Sequence, residues 1–321
     1  MTTSKIHIMQ NFFNPNCIMC KYAFIILFGL ITNSSFSQSI PQQMQTYVEQ
    51  IRASQQVPVR EIFSDQKNTK EVIESAANYF DDTLVHVRRR MYSLVGEAGV
   101  RSQDKAIRTY SVDQLVKATS DYNNLDLLLI QFNRFASNDF SGSAKDSLVS
   151  LFRQRPPYLD QLVRLVGSLQ ITSLKDDLRV LSGPTTNNQG IRWAALLALA
   201  RMGDQEATQS VMKRVQRIPV NDDIVYEVFP DLVYTRQRSA IDYLIVELKS
   251  DEKKCFTADA EDETPITCAY RIMEMLAPVI EKYPLELDAS GDIKTKDYKK
   301  SLAIVRAWFE RNKDYGIVQE N

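Results

Sequence analysis

The segment Ile191–Met202 constrains the fold more strongly than any other part of the 321-residue chain. Ten of its twelve residues are apolar, so a helix formed by this segment has no polar side and must be covered from several directions. Gly203 follows directly and suits the left-handed backbone that ends many helices. Asp204 can then cap the next helix, with Glu206 near its positively polarised first turn. This order predicts a pair of packed helices, the first of them in the interior.

Apolar residues recur at helical spacing from about residue 67 almost to the end of the chain, with breaks at Gly, Pro and Ser clusters. The chain has only 10 Gly, which favours helices over the many tight turns of an all-β fold. Alternation of β-branched residues never lasts long enough to predict a strand. The predicted helices cover residues 42–53, 67–80, 83–97, 103–118, 123–136, 143–154, 157–169, 173–182, 190–202, 205–217, 222–235, 237–250, 266–282 and 295–312.

This helical pattern repeats along the chain. The apolar spacing of Ile191–Met202 recurs about 33 residues earlier, at Leu162–Leu169, and about 32 residues later, at Ile224–Tyr234. A further unit at Ala269–Leu276 follows after a longer interval, which the loop between two cysteines accounts for. Helix pairs with such a period are typical of solenoids, whose stacked neighbours bury faces that no pair can bury alone. We therefore predict an all-α fold: a right-handed α-solenoid of stacked antiparallel helix pairs, a HEAT-like or ARM-like superhelix.

One unit also resembles a known family. It opens with Ile191-Arg192, alternates small residues with Leu, and ends its first helix with Gly203-Asp204, which is similar to the HEAT-like repeat associated with phycobiliprotein lyases. Val87–Gly99 is a looser match, and Leu169-Gln170 and Tyr234-Thr235 stand where two other units lack the Gly-Asp pair. The resemblance implies a solenoid fold and a scaffolding tendency. It does not imply lyase chemistry, because repeats of this kind occur widely without it.

The first 37 residues differ from the rest of the chain. A basic residue precedes the apolar run Tyr22–Ile31, and the small residues Ser35 and Ser37 follow at the spacing of a cleavage site. This order predicts a secretory signal peptide over residues 1–37, with Met19 as an alternative start. The run is shorter than the ~20 residues that span a bilayer, and an uncleaved membrane anchor is the alternative. We expect an exported protein, either periplasmic or extracellular at the cell surface.

The remaining chain divides into two predicted regions. Residues 38–66 are rich in Gln and Ser and predict an N-terminal helix followed by a linker. Residues 67–321 form the predicted HEAT-like repeat domain, with a Cys-flanked loop at 251–266. No segment of these regions is apolar enough to cross a membrane, so we expect no integral span in the mature chain.

Two cysteines remain after the predicted cleavage, Cys255 and Cys268. An even count in an oxidising compartment favours a disulfide, which would close a loop of about 14 residues and contribute roughly 3 kcal/mol. Two free buried thiols are the alternative. Four carboxylates on the intervening loop could hold Ca²⁺, although their spacing fits a solvated acidic loop better: Asp259, Glu261, Asp262 and Glu263. Too few His and Cys remain for a zinc site, and we expect no cofactor.

Few residues suit catalysis. His86 is the one imidazole left after export, and its place between Val85 and Val87 indicates a core or boundary histidine rather than a base. No nucleophile elbow, phosphate loop or dinucleotide fingerprint occurs. Adjacent carboxylates lie about 100° apart on a helix, so we interpret three pairs as helix caps rather than acid–base pairs: Asp81-Asp82, Asp176-Asp177 and Asp222-Asp223. We interpret Arg88–Arg90 as a solvated face and Trp193 as a core residue.

Four side chains are candidates for a binding surface: Arg201, Tyr226, Tyr234 and Arg236. They fall near corresponding places in successive repeats, and Arg and aromatic residues are typical of binding hot spots. A structural role is the alternative for each. Lys and Arg number 39 against 40 Asp and Glu, a net charge of -1, which argues against nucleic-acid binding.

These features favour a non-enzymatic scaffold that binds a protein or peptide partner along its helical stack. Two alternatives stay open: a ligand-binding protein or enzyme with a pocket in a helical bowl, and a structural accessory subunit of an envelope complex. A deep cavity lined by convergent polar side chains would favour the first alternative, and co-purification with an envelope complex would favour the second.

Overall fold

A computed structural model describes residues 39–54, 56–257, 264–288 and 290–319. The predicted signal peptide at 1–37 and the acidic side chains between the two cysteines lie outside these residues. The fold is all-α, as predicted, with helices throughout the described chain and two short strands. None of the described helices combines the length and apolarity that crossing a bilayer requires.

The helices of the N-terminal half begin and end close to the predicted positions. Their bounds are α1 Ile40–Ala53, α2 Thr69–Ala77, α3 Val85–Arg101, α4 Lys105–Lys117, α5 Leu125–Phe132, α6 Gly142–Arg153, α7 Leu159–Ser168 and α8 Lys175–Ser182. Side-chain caps fix several of their starts: Asp104 accepts from the amide of Ala106 in α4, and Ser141 from that of Ala144 in α6.

The C-terminal half contains seven further helices and a two-stranded antiparallel sheet within the described residues. Their bounds are α9 Gln189–Arg201, α10 Gln205–Val215, α11 Asp222–Glu227, α12 Phe229–Thr235, α13 Arg238–Leu248, β1 Lys253–Phe256, β2 Pro265–Thr267, α14 Ala269–Leu276 and α15 Tyr298–Arg311. Asp204 caps α10 by accepting from the amide of Ala207, as the sequence predicted.

Two of the predicted helices differ from the structure. The helix predicted over 222–235 is two helices, α11 and α12, because Pro230 near the start of α12 cannot donate an amide hydrogen to the preceding turn. The helix predicted over 266–282 begins only at Ala269 and ends its regular part at Leu276. Ile266 and Thr267 belong instead to β2.

The expectation that the chain contains no strand is wrong for the segment around the cysteines. Cys255 pairs with Ile266, and Lys253 with Thr267, in a short antiparallel ladder. Cys255 and Cys268 form the predicted disulfide, with Cα atoms 5.0 Å apart. A strand of three or four residues is too short to produce a periodic signal in the sequence.

Helices stack in the order in which they follow along the chain. A continuous row forms in which each helix contacts the next, in the order α1, α3, α5, α7, α9, α12 and α14. In a second row, α2 contacts α4 and α4 contacts α6. This arrangement is compatible with a solenoid of helix pairs. The predicted N-terminal helix is the first member of the row, since α1 packs on α2 and α3.

The helix α9 lies at the centre of this stack, in contact with α7, α8, α10 and α12. Its residues Ala194, Ala195, Leu197 and Ala198 are at most 1% exposed. The prediction of an interior helix, made from its lack of a polar side, is therefore confirmed.

Three helices of the row end in a left-handed residue at equivalent places. Gln170, Gly203 and Arg236 all have positive φ and follow one another at the same interval along the chain. This corrects the alignment of the repeats: Gln170 and Arg236, not Leu169 and Tyr234, correspond to Gly203. The left-handed backbone costs a non-glycine residue only about 1 kcal/mol. The same turn therefore forms at the two positions where the sequence has no glycine.

Polar contacts also link residues one repeat apart. Arg88 donates from Nε to Asp121, 33 residues away, at 2.7 Å, and Arg89 forms two 3.0 Å hydrogen bonds to Asp126, 37 residues away. Arg90 donates to the carbonyl of Val57 at 2.7 Å. The interpretation of Arg88–Arg90 as a solvated face is wrong, because each side chain has a partner on a neighbouring element.

Candidate functional site

The carboxylate of Asp231 connects three consecutive helices of the row. One oxygen accepts from Nη1 of Arg164 on α7 at 2.5 Å, and the other accepts from Nε1 of Trp193 on α9 at 2.5 Å. Asp231 lies in the first turn of α12, where the helix dipole also favours a negative charge. Trp193 is half-buried rather than a core residue. Its indole N–H needs a polar acceptor, which an apolar core would not supply.

Arginine side chains cover two aromatic rings, that of Trp193 on α9 and that of Tyr226 on α11. The guanidinium carbon of Arg214 lies 4.9 Å from the ring centre of Trp193, and that of Arg271 lies 4.8 Å from the ring centre of Tyr226. Tyr226 is 42% exposed, so its ring is available at the surface. We call Arg164, Trp193, Arg214, Tyr226 and Arg271 the aromatic face.

Tyr234 lies beneath the aromatic face. Its hydroxyl donates to the main-chain carbonyl of Arg164 at 2.6 Å, and the Arg164 guanidinium lies 5.9 Å from its ring centre. Burial raises the pKa of Tyr234 far above its ordinary value, so the hydroxyl stays protonated at neutral pH. This predicted binding residue is partly exposed, and its hydroxyl supports α7 from below.

Two arginines lie at the C-terminal ends of helices in the same row, Arg201 buried and Arg236 partly buried. Arg201, the last residue of α9, is 3% exposed, and Arg236 follows α12 as its left-handed cap residue. Arg201 donates from Nη2 to the carbonyl of Gln319, and Arg236 from Nη1 to the carbonyl of Val233. Nε and Nη1 of Arg201 and Nε of Arg236 are buried with no acceptor.

The charge of one of these guanidinium groups affects the pKa of the other. Burial lowers the pKa of Arg236 to about 10, and the positive charge of Arg201 lowers it further in the same direction. Burial also lowers the pKa of Arg201. Both groups remain charged at neutral pH, yet no ion pair joins either of them to a carboxylate within the described residues.

Of the four predicted binding residues, Arg201, Tyr234 and Arg236 lie together at the C-terminal ends of α9 and α12. Tyr226 lies apart from them, on the aromatic face. Sequence reasoning missed Arg164 and Asp231 and placed Trp193 in the core. The spacing of Trp193 and Tyr226 is a signal that could have indicated this side of the helices. The partner of Arg201 at Gln319 lies 118 residues away along the chain, and no local pattern indicates such a contact.

The chain after α15 returns across the ends of the earlier helices. The amide of Val318 donates to the carbonyl of Val279 at 3.0 Å, and the hydroxyl of Tyr315 donates to Asp242 at 2.6 Å. Arg238 stacks on Tyr315, its guanidinium carbon 3.8 Å from the ring centre, and donates to the main chain of this segment. Residues 313–319, which we call the C-terminal tail, thus form one wall around Arg201.

The remaining polar groups serve structural contacts. His86 is half-buried, with Nε2 3.3 Å from the carbonyl oxygen of Ile51, as expected of a boundary histidine. A cavity of about 260 Å³ beside α3 has Ser64 and Arg101 in its lining, and these two are hydrogen-bonded to each other at 3.2 Å. Within the part of the chain that the structure describes, no three His, Cys, Asp or Glu side chains are grouped as a metal would need.

No family model, no curated protein and no solved structure matches this chain. The HEAT-like resemblance of the unit at Ile191–Val211 therefore stays a prediction from its sequence. The geometry of the aromatic face and of the two arginines is the evidence on function.

Proposed function

We propose that this protein is an exported, non-enzymatic repeat scaffold that binds a protein or peptide partner through the aromatic face. One observation carries the proposal: Trp193 and Tyr226 occupy equivalent positions in successive repeats, and an arginine covers each ring. Arg, Trp and Tyr are the residues that most often dominate binding energy at protein interfaces.

The network beneath this face favours binding because it holds the contact groups in place. Asp231 fixes both the indole of Trp193 and the guanidinium of Arg164, while Tyr234 holds the backbone of α7. Side chains that are already ordered lose less conformational entropy when a partner binds. Tyr226 and Arg271 add a second stacked pair, with Tyr226 exposed and Arg271 half-buried. Two ordered pairs of an aromatic ring and an arginine suit an extended peptide or the surface of a protein.

Export is the second part of the proposal. The predicted signal peptide supports it, and so does the pairing of Cys255 with Cys268, because disulfides persist in oxidising compartments. Fractionation of the native cells tests this part: the mature chain is expected outside the cytoplasm, with its first residue after position 37. Recovery of the uncleaved chain in the cytoplasm with both thiols free would contradict it.

The binding role can be tested by site-specific photo-crosslinking in the native cells. A photoreactive phenylalanine analogue at position 226 is expected to trap a discrete partner, and Arg271→Ala in the same chain is expected to reduce the yield. The matched control places the analogue at Val246, which is 64% exposed on α13 and does not belong to the aromatic face. Equal crosslinking from positions 226 and 246 would count against the aromatic face.

A further inference from the structure

We infer that Arg201 and Arg236 form a binding site for a small, doubly charged oxyanion group, such as sulfate or a phosphate. This site is separate from the aromatic face and does not depend on the partner proposed for it. It rests on two cations, Arg201 buried and Arg236 partly buried, whose surroundings among the described residues supply neutral acceptors but no carboxylate.

The first observation is unused hydrogen-bonding capacity. Arg201 is 3% exposed, and only one of its three nitrogens, Nη2, has an acceptor. Nε of Arg236 is likewise buried without an acceptor. Buried donors in folded proteins are almost always paired, so three unpaired N–H-bearing nitrogens on two neighbouring side chains indicate that an acceptor belongs between them.

The second observation is charge. The acceptors that these arginines do have, the carbonyls of Gln319 and Val233, are neutral. The C-terminal ends of α9 and α12 contribute partial negative charge, which offsets only part of two full positive charges. Arginine rarely gives up its proton in proteins, so the charges cannot be removed by deprotonation. A dianion neutralises both groups, whereas a single carboxylate leaves one unpaired.

Neighbouring polar side chains already form hydrogen bonds with other groups. The hydroxyl of Tyr234 donates to Arg164, and that of Thr235 donates to the carbonyl of Leu232 at 2.7 Å. The side-chain amide of Gln170 donates to the carbonyl of Arg201 at 2.8 Å. These contacts hold the backbone around the site and leave the guanidinium donors free. Arg236 is only partly buried, so part of its side chain is accessible from solvent.

Sulfate is the probe for this site, measured on the full mature chain. Calorimetric titration with sodium sulfate is expected to reach saturation, and thermal unfolding should shift upward with the logarithm of sulfate concentration but not with chloride at equal ionic strength. Arg201→Met and Arg236→Met are each expected to weaken sulfate binding by about tenfold or more. Inorganic phosphate should compete with sulfate, and acetate should compete only weakly.

Controls separate specific binding from the general stabilising effect of sulfate. Arg153→Met removes an exposed arginine from the last turn of α6 and should leave the sulfate response unchanged. Since Glu320 follows Gln319 in the sequence, Glu320→Gln should bind sulfate at least as tightly as the parent chain. Absence of saturable binding to the unaltered chain, an equal response in Arg236→Met, or a response that occurs only in Glu320→Gln would each overturn the inference. Because Arg236→Met alters a partly exposed residue, it serves if Arg201→Met fails to fold.

Discussion

The hydroxyl of Tyr234 lies where a side chain on Gly167 would begin, and donates a hydrogen bond to the carbonyl of Arg164. The Cα of Ala198 occupies the other side of the same space, 2.7 Å from the position that a Cβ on Gly167 would take. The missing side chain therefore lets α7, α9 and α12 meet at one point, which is directly beneath the aromatic face.

Gly167→Ala should destabilise the fold by about 1–3 kcal/mol, because the new methyl group would overlap the backbone of α9 and the tyrosine hydroxyl. Chemical denaturation measures this loss. Gly142→Ala is the matched control: it lies at the start of α6 with open space around it and should be neutral or slightly stabilising. Equal stability of the two variants would contradict the close approach of α7 and α9.

The close packing of α9 also predicts the effect of larger side chains at its buried alanines. Ala195→Leu or Ala198→Leu should lower the free energy of unfolding by roughly 1–3 kcal/mol, because both sites are fully buried against neighbouring helices. Thermal and denaturant unfolding provide the measurement. Val180→Leu, at a site on α8 that is 64% exposed, should change stability little. An unchanged melting temperature in both alanine variants would mean that α9 is not interior.

The pairing of Arg88 with Asp121 predicts a dependence of stability on pH. Burial raises the pKa of Asp121, but hydrogen bonds from Arg88, Asn124 and Tyr92 outweigh this and leave the pKa below its ordinary value. The unfolded carboxyl has a pKa of about 3.9, so the pair contributes fully above that pH, and the contribution disappears as pH falls through the lower folded value. Unfolding free energies measured from pH 6 downward to about pH 2 should therefore decrease.

Asp121→Asn should remove this part of the acid sensitivity and cost about 3 kcal/mol at neutral pH, because it leaves the charge of Arg88 unpaired where its side chain is 14% exposed. The control is Glu74→Gln, which breaks an exposed pair with Lys70 on α2 and should cost less than about 0.5 kcal/mol. If the two variants lose similar stability, the link between repeats contributes little.

The disulfide in the C-terminal half predicts that the free energy of unfolding depends on the redox state of its two cysteines. Non-reducing mass spectrometry should recover Cys255 linked to Cys268. Cys255→Ser with Cys268→Ser should lower stability by roughly 3 kcal/mol, because the unfolded chain gains the freedom that the cross-link removes. Treatment with a reductant should destabilise the parent chain by a similar amount and leave the double variant unaffected. Free thiols on both cysteines of the exported protein would refute this pairing.

Several features of the fold could be predicted because they depend on neighbouring residues. Helix positions follow from apolar spacing and from Gly, Pro and capping residues, and most predicted bounds agree with the structure within a few residues. The interior position of α9 follows from its composition alone. The pairing of Cys255 with Cys268 follows from an even count, since these are the two cysteines that remain after the predicted cleavage.

Features that depend on distant residues could not be predicted in this way. Arg88 looks like a surface residue in its own segment, and only the stacking of repeats places Asp121 beside it. The sequence does not show that Gln170 is equivalent to Gly203, because the two positions share a backbone geometry and not a residue type. The small sheet at Cys255 is too short for a periodic signal.

Local sequence thus determined the helices, their ends and the need for each pair to be covered by the next, because hydrogen bonding and apolar periodicity act over a few residues. Tertiary structure alone decided which polar groups meet. Arg201 and Arg236 belong to different helices, and Gln319 reaches Arg201 only because the C-terminal tail turns back across the stack. Contacts between such distant positions depend on how the helices pack, and packing depends on the whole chain at once.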